Sequence, residues 1–393
     1  MLRSLYSGIS GLRAEQTMLD VTGNNIANVN TVGFKSSSVQ FEDTLSQTIS
    51  AAGLPTGAKG GINPNQVGLG VRVGGIATSM VQGSQQTTGN NMDEMISGDG
   101  YFVTKSSGEN LYTRNGAFHW DSQGRLSTAD GGLVQGWSAM NGVIQTGLQP
   151  GTISISNQVS GAKQTTTATV AGNLPSGAKV GDSFERDITV YTADGSEKTL
   201  AATFTATAAN SWDYSIDDGT GTPVTGTLQT GGATVTATSG STTPTIDGIT
   251  VDLSKLSGYA GLTSVSITGQ NGNKAGTLLA TTMSADGTLT GTFSNGATVP
   301  LAKLAIGTFA NPAGLERAGS SSLRQSINSG TAQLTAAGEG TAGDIVAGAL
   351  EMSNVDLSQE FTNLIVAQRG FQANARIITT SDEILQELTQ LKR

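Results

Sequence analysis

The chain of 393 residues carries one histidine, His119, and no cysteine. That excludes metal centres built from several imidazoles or from thiolates, and with them disulfides and cysteine nucleophiles. His119 lies in LYTRNGAFHWDSQGRL (Leu111–Leu126), which reads as two strands around Asn115-Gly116. A serine hydrolase would need a nucleophile elbow, and no G-x-S-x-G occurs. His119 beside Trp120 therefore reads as a surface or packing residue. The 30 acidic residues include the pairs Asp93-Glu94, Asp217-Asp218 and Asp382-Glu383. Asp217-Asp218 sits where turns favour aspartate through local backbone hydrogen bonds, and the other two pairs read as solvated faces. No calcium loop of the D-x-[DN]-x-[DN]-G type is present.

Two glycine-punctuated stretches invite a phosphate-binding reading. Gly338-Glu339-Gly340-Thr341-Ala342-Gly343 matches G-x-G-x-x-G. A dinucleotide fingerprint needs a strand before it and a helix after it, whereas polar loop precedes this one and Glu339 would repel a pyrophosphate. It reads as a linker. Gly68–Gly74 runs directly into a strand pattern and reads as a strand entry. The residues thus point to no catalytic group, no metal and no cofactor, and the chain is expected not to be an enzyme.

The elements that carry these residues divide the chain into ends and middle. All eight prolines lie between Pro55 and Pro312, so long helices are permitted at both ends. Leu2, Leu5, Ile9, Leu12, Gln16, Leu19, Gly23 and Ile26 alternate at spacings of three and four, a heptad seam with Gln16 and Gly23 as weak members. Leu357, Leu364, Phe371, Ile378 and Leu385 recur every seven residues, flanked by Phe361, Ile365, Ala375, Leu388 and Leu391. Asp356, Ser358 and Glu360 supply helix-start residues. At 1.5 Å per residue these helices would be roughly 38 Å and 54 Å long. So long a stripe is hard to bury on one globule. The expected solution is a coiled coil, the two ends packed together and against further copies of the chain.

The middle reads as β. Asn-Gly and Asp-Gly dipeptides, among them Asp130-Gly131, Asn141-Gly142, Asp194-Gly195, Asp247-Gly248, Asn271-Gly272 and Asp286-Gly287, punctuate short runs rich in β-branched residues. The runs Val71–Ile76, Thr199–Thr207, Trp212–Ile216, Thr245–Val251 and Thr288–Phe293 are typical, and their spacing suggests sandwiches or small barrels. Residues from about 160 to 274 are rich in Thr, Ala and Gly and poor in aromatics. The expected fold is mainly β with α-helical termini. Helices in 1–30 and 355–393 pair as a coiled coil, 31–67 and 331–354 are linkers, 68–159 with 275–330 form an inner β domain, and 160–274 is an outer β domain inserted in it. Ser46–Gln66 reads as a Gly-rich loop.

Composition narrows the class further. Charged residues make up 13% and the net charge is −9, with no Lys/Arg cluster, so a nucleic-acid partner is not expected. No apolar run approaches the roughly 18 residues of a membrane span. MLRSLYSGISGLRAEQ has no uninterrupted apolar core and does not read as a cleavable signal peptide.

The terminal segments resemble a known family. SLYSGISGLRAEQTMLDVTGNNIANVNTVGFK (Ser4–Lys35) is similar to the N-terminal signature of the bacterial flagellar axial rod and hook proteins. Its most specific residues are Asn24, Asn25, Ile26, Ala27 and Asn28, then Thr31, Gly33, Phe34 and Lys35. Ala349-Leu350-Glu351 and Ser353–Leu388 resemble the C-terminal signature. Val67–Val73 and Leu111–Phe118 occur widely in the family, while Ser284–Gly291, Phe293–Gly296 and Ala305–Gly314 look like its hook branch. Ser46–Gln66 departs from enterobacterial hooks in being longer.

The resemblance implies a structural subunit of a curved hollow tube outside the cell. The tube is a universal joint that transmits torque from rod to filament. The implied partners are other copies of the chain, a distal rod protein, hook cap and hook–filament junction proteins, and the flagellar type III export apparatus, with no membrane insertion. A distal rod subunit and a secreted β-rich adhesin are the competing readings.

Overall fold

The computed structural model describes residues 2–55, 60–140, 142–155, 159–219 and 221–391. The chain divides into two compact units. One comprises residues 1–156, 282–289 and 300–393, the other 157–281 and 290–299.

The first unit contains both helices, α1 (Leu2–Ala27) and α2 (Leu357–Leu391). α2 starts where the sequence signals it: Asp356 Oδ1 accepts the backbone N–H of Ser358 at 2.8 Å and of Gln359 at 3.3 Å, the side-chain cap that satisfies donors left free at a helix start. α1 stops at a turn in which Asn28 Nδ2 donates to the Asn24 carbonyl at 2.9 Å and Thr31 Oγ1 donates to Asn28 Oδ1 at 3.0 Å. The chain then reverses through Gly33, whose φ of 68° suits glycine.

Strand Ser37–Asp43 follows, paired antiparallel with Val71–Thr78 around a bulge at Gln40/Phe41, and both strands pack on α1. Between them Ser46–Ser50 pairs with Asn65–Gly68. The stretch expected as a loop is thus a two-stranded hairpin, extended by a Gly53–Ile62 bridge and exposed throughout; its residues 56–59 lie outside the described residues. Strands also occupy the other stretch expected as a linker, at Gln333–Ala336, Asp344–Ala347 and Ala349–Glu351. The Gly338–Gly343 motif is a turn between two of them, with no helix behind it.

The β part of this unit is antiparallel. Tyr101–Ser106 forms a hairpin with Glu109–Thr113 and pairs with Leu133–Met140, while Thr298–Thr308 meets both in the registers Ile306–Phe102 and Leu304–Gly136. Its core holds Tyr101, Val103, Tyr112, Trp137, Ala305, Leu315 and Ala336. Phe309 packs edge-on against Tyr101 and Tyr112, at centroid distances of 6.0 and 4.7 Å, the geometry that aromatic quadrupoles favour.

The second unit holds the Thr-rich region. Ser183–Tyr191, Glu197–Ala208, Ser211–Asp217, Val224–Gly231 and Thr234–Ser239 form a five-stranded antiparallel meander. A four-stranded sheet contains Thr167–Asn173, which runs parallel to Ile249–Ser257 and antiparallel to Ser266–Gln270. Burial alternates residue by residue along the central strands, so each presents one face to the interior. Phe204, Trp212, Tyr214, Ile188 and Leu200 from the meander share a single core with Val170, Val251 and Leu253 from the other sheet. Three of the region's six aromatics, Phe204, Trp212 and Tyr214, thus sit at its centre, while Tyr259 is exposed. Asp247-Gly248 turns the chain as expected, with φ of 48° and 77°, whereas Asn141 lies outside the described residues.

Candidate assembly surface

α1 and α2 pack antiparallel: Gly8 faces Ile378, Gly11 faces Asn374, Glu15 faces Gly370, and Asn25 meets Glu360. Small and polar residues line this seam. Gly8, Gly11, Ala14, Thr22 and Asn25 of α1 are buried, as are Glu360, Ala367 and Ser381 of α2. A Cβ on Gly11 would come within 2.6 Å of Asn374 Nδ2, and one on Gly370 within 2.6 Å of Glu15 Oε1. Glycine at these positions leaves room between the helices for the Asn374 and Glu15 side chains.

The heptad rows read from the sequence do not form the buried seam. Leu5, Leu12, Leu19, Ile26, Leu364, Ile378 and Leu385 are half-buried along its edges. Ile9, Leu357, Phe361 and Phe371 are exposed, at 37%, 39%, 52% and 38% of their surface. The side chains of Leu2, Leu388 and Leu391 lie outside the described residues. Glycines set the closest contact, and larger side chains at heptad positions are displaced to its flanks. Ile365, Val366, Ile377 and Ile384 extend the exposed apolar surface of α2 to both sides. Contiguous apolar rows are uncommon on the surface of a monomer.

A buried polar clamp fixes the helix pair to the β part of the same unit. Asn25, 1% exposed, donates from Nδ2 to the Ser37 carbonyl at 2.7 Å and to Glu360 Oε1 at 3.0 Å, and accepts the Ser37 N–H on Oδ1 at 3.0 Å. One side chain thus ties the end of α1, the start of α2 and the first strand. Glu351 is wholly buried. Its Oε1 accepts from Lys35 Nζ at 2.6 Å and from the Gly83 N–H at 2.9 Å, its Oε2 from Arg114 Nη1 at 3.2 Å, and its backbone carbonyl from the Gly33 N–H at 2.8 Å. Lys35 Nζ also donates to the Val81 carbonyl at 2.8 Å, and Arg114 Nη2 to that of Gly98 at 2.8 Å.

Burial draws the Lys35 pKa below its ordinary value, and the bond to Glu351 opposes that pull. Charges so completely enclosed must be paired, because removing one strands the other in a medium that cannot solvate it. Phe34 lies under the Arg317 guanidinium, 4.9 Å from ring centroid to Cζ.

The motif residues therefore act mainly as structure: Asn24 and Asn28 end α1, Asn25 ties three elements, Gly33 turns the chain, Phe34 and Lys35 lock it. Ile26 is half-buried and Ala27 exposed. Glu351, Arg114 and Glu360 complete the clamp. They stand inside the quoted motifs, but sequence separation conceals their partnership.

Glu94 is also enclosed, 1% exposed, and neither carboxylate oxygen has a hydrogen-bond partner. Burial, with the Asp93 carboxylate adding to it, pushes its pKa up to about 8. Other titratable candidates form small local networks. Lys198 Nζ bridges Asp218 and Asp247, each at 2.9 Å. Ser127 Oγ lies 3.3 Å from His119 Nε2, but it lies equally close to the His119 carbonyl and the serine is buried. Among the described residues no group of His, Cys, Asp and Glu is arranged to hold a metal, and no helix is long and apolar enough to cross a membrane.

Three family models match the chain: "Flagella basal body rod protein" over residues 5–35, "Flagellar hook protein FlgE/F/G D1 domain" over 95–172, and "Flagellar basal body rod FlgEFG protein C-terminal" over 346–391. The flagellar hook protein FlgE of Treponema pallidum is 36% identical over 466 residues, covering all of both chains. That of Salmonella typhimurium is 36% identical over 424 residues, covering 99% of this chain and all of the relative. The flagellar basal-body rod protein FlgG of Bacillus subtilis is 36% identical over 394 residues, again covering all of both.

Proposed function

Because the chain belongs to the flagellar hook and rod protein family, we propose that it works by polymerising through its terminal helices, as a structural subunit of the bacterial flagellar hook. The hook is a curved, hollow tube outside the cell and a flexible joint that passes torque from rod to filament. The observation that carries the reading is the helix pair: small residues close the seam inside one chain, and on its flanks large apolar residues remain only half-buried or, like Phe361 and Phe371, exposed. Neighbouring copies laid against those flanks would complete the packing, and Leu5, Ile9, Leu12, Leu19, Ile26, Leu357, Phe361, Leu364, Phe371, Ile378 and Leu385 are the contact residues it assigns. The reading gives the chain no reaction to catalyse. Its further partners are a distal rod protein below, cap and junction proteins above, and the export apparatus that delivers it.

The rod reading rests on the full-length similarity to FlgG. Electron microscopy of protein polymerised in solution separates the two, since a hook subunit builds curved tubes and a rod subunit straight ones. Phe361→Asp or Phe371→Asp places a charge on the exposed row, and polymerisation should then require at least a hundredfold more protein while the melting of the monomer is unchanged. Tubes of ordinary stability from both variants would remove the helix flanks from the assembly.

A further inference from the structure

A pocket and a protruding side chain, both in the first unit, fit one another across two copies of the chain. We propose that Ile327 is an assembly knob that seats in the Phe34–Tyr101 pocket of a second copy, an inference that rests on the polymer reading above.

Ile327 is fully exposed, yet the turn that presents it is braced from within. Ser326 Oγ donates to the Gly314 carbonyl at 2.6 Å and accepts the Asn328 N–H at 3.1 Å. Ser329 Oγ donates to the Ser326 carbonyl at 2.9 Å and accepts the Ser326 N–H at 3.0 Å, and Asn311 Nδ2 holds the Asn328 carbonyl at 3.0 Å. An aliphatic side chain on a preordered turn loses little freedom when it docks, which is the property of a contact residue.

The pocket has a volume of about 240 Å³ and is lined by Phe34, Met80, Tyr101 and Leu323, with Thr78 and Arg317 at polar positions. Cavities of about 150 Å³ already accept a benzene ring, so a branched four-carbon side chain fits. The cations around it are engaged: Lys35 and Arg114 hold Glu351, and Arg317 Nη2 donates to the Lys35 carbonyl at 2.6 Å and to Ser37 Oγ at 3.0 Å. An uncharged visitor leaves those bonds intact, and Gln325–Gly330 is an uncharged segment. With a net charge of −9 per chain, copies repel at a distance, and an uncharged contact adds nothing to that repulsion. Knob and pocket are different patches, so the contact is head-to-tail, the kind that builds an open helical array when its rotation does not close a ring.

The absence of native cysteine makes the test direct. Ile327→Cys and Thr78→Cys chains are prepared separately, mixed, polymerised and oxidised. Disulfide-linked dimers are expected in the mixed polymer and in neither the unpolymerised mixture nor either variant alone, since a disulfide needs Cα atoms within about 7 Å. A mixed polymer without such dimers overturns the proposal. Ile327→Asp should keep the wild-type melting profile and raise the concentration needed for polymerisation at least tenfold, with Ile327→Leu near wild type. An Ile327→Asp chain that polymerises at the wild-type threshold overturns it as well. A wild-type chain that never polymerises would instead sink the polymer reading, and this contact with it.

Discussion

The Thr-rich unit and the helix pair solve the burial problem in opposite ways. In the former, Trp212, Tyr214 and Phe204 are wholly enclosed, and two sheets close over one core. In the latter, the residues enclosed are glycines, alanines and polar residues (Thr22, Asn25, Glu360 and Ser381), and the phenylalanines are outside. A region built from small side chains can thus be complete, while a region with long apolar rows remains unfinished. Completeness depends on which residues occupy the closest contact, not on how apolar the segment is.

Substitutions can break that contrast. Trp212→Ala should cost about 3–5 kcal/mol by leaving a cavity in an enclosed core. Urea unfolding followed by a probe in the Thr-rich unit should show it, and tube formation through the helices should survive at temperatures where that unit still folds. If the loss is below about 1 kcal/mol, the core is looser than its burial implies.

Lys35→Ala leaves Glu351 and Arg114 enclosed without their full set of partners, a change worth about 3–5 kcal/mol for buried pairs. Protease sensitivity at the α1–strand connection should rise together with the fall in stability. Resistance equal to wild type would show that water replaces the ammonium.

Glu94 sharpens the contrast through pH. Its carboxyl has an ordinary pKa of 4.5 when unfolded and about 8 when folded. Between those values the native state holds a proton that the unfolded state releases. The contribution is therefore intact below about pH 4.5, declines through the window by up to about 1.4 kcal/mol per pH unit, and is lost once pH passes 8. Denaturant midpoints measured from pH 5 to 8.5 should fall in wild type and stay flatter in Glu94→Gln. Parallel pH profiles would place the titration elsewhere.

The smallest effect is expected at the seam. Gly11→Ala forces the Asn374 amide aside, an overpacking cost of about 1–3 kcal/mol that alanine's helix preference over glycine, about 1 kcal/mol, partly offsets. The loss should appear as earlier melting of helical circular dichroism, with Gly23→Ala, whose added Cβ meets nothing within 4 Å and which should melt no earlier than wild type, as the comparison.

Much of the architecture was legible because it rests on local chemistry. Asp356 caps α2, the alternation in Thr199–Thr207 and Trp212–Ile216 marks strands with one inner face, and the proline-free ends are helical. The helix seam was misread for a physical reason: heptad logic follows large apolar residues, whereas Gly8, Gly11 and Gly370 contribute by what they lack. Ser46–Gln66 looked like a loop because glycine and polar residues dominate it, yet cross-strand backbone pairing needs no apolar alternation. The clamp was half visible. Asn25, Gly33 and Lys35 stood out as a motif, but nothing in a linear sequence says that Lys35 and Arg114 converge on Glu351.

That convergence also bears on the order of events during folding. Lys35 and Glu351 are 316 positions apart, and contacts between such distant residues form late, since the intervening chain must first be brought together. A chain delivered amino end first carries α1 without its anchor until nearly all of the remainder has arrived. If α1 makes the polymer contacts proposed above, it is fastened in place only once a whole subunit is present to use it.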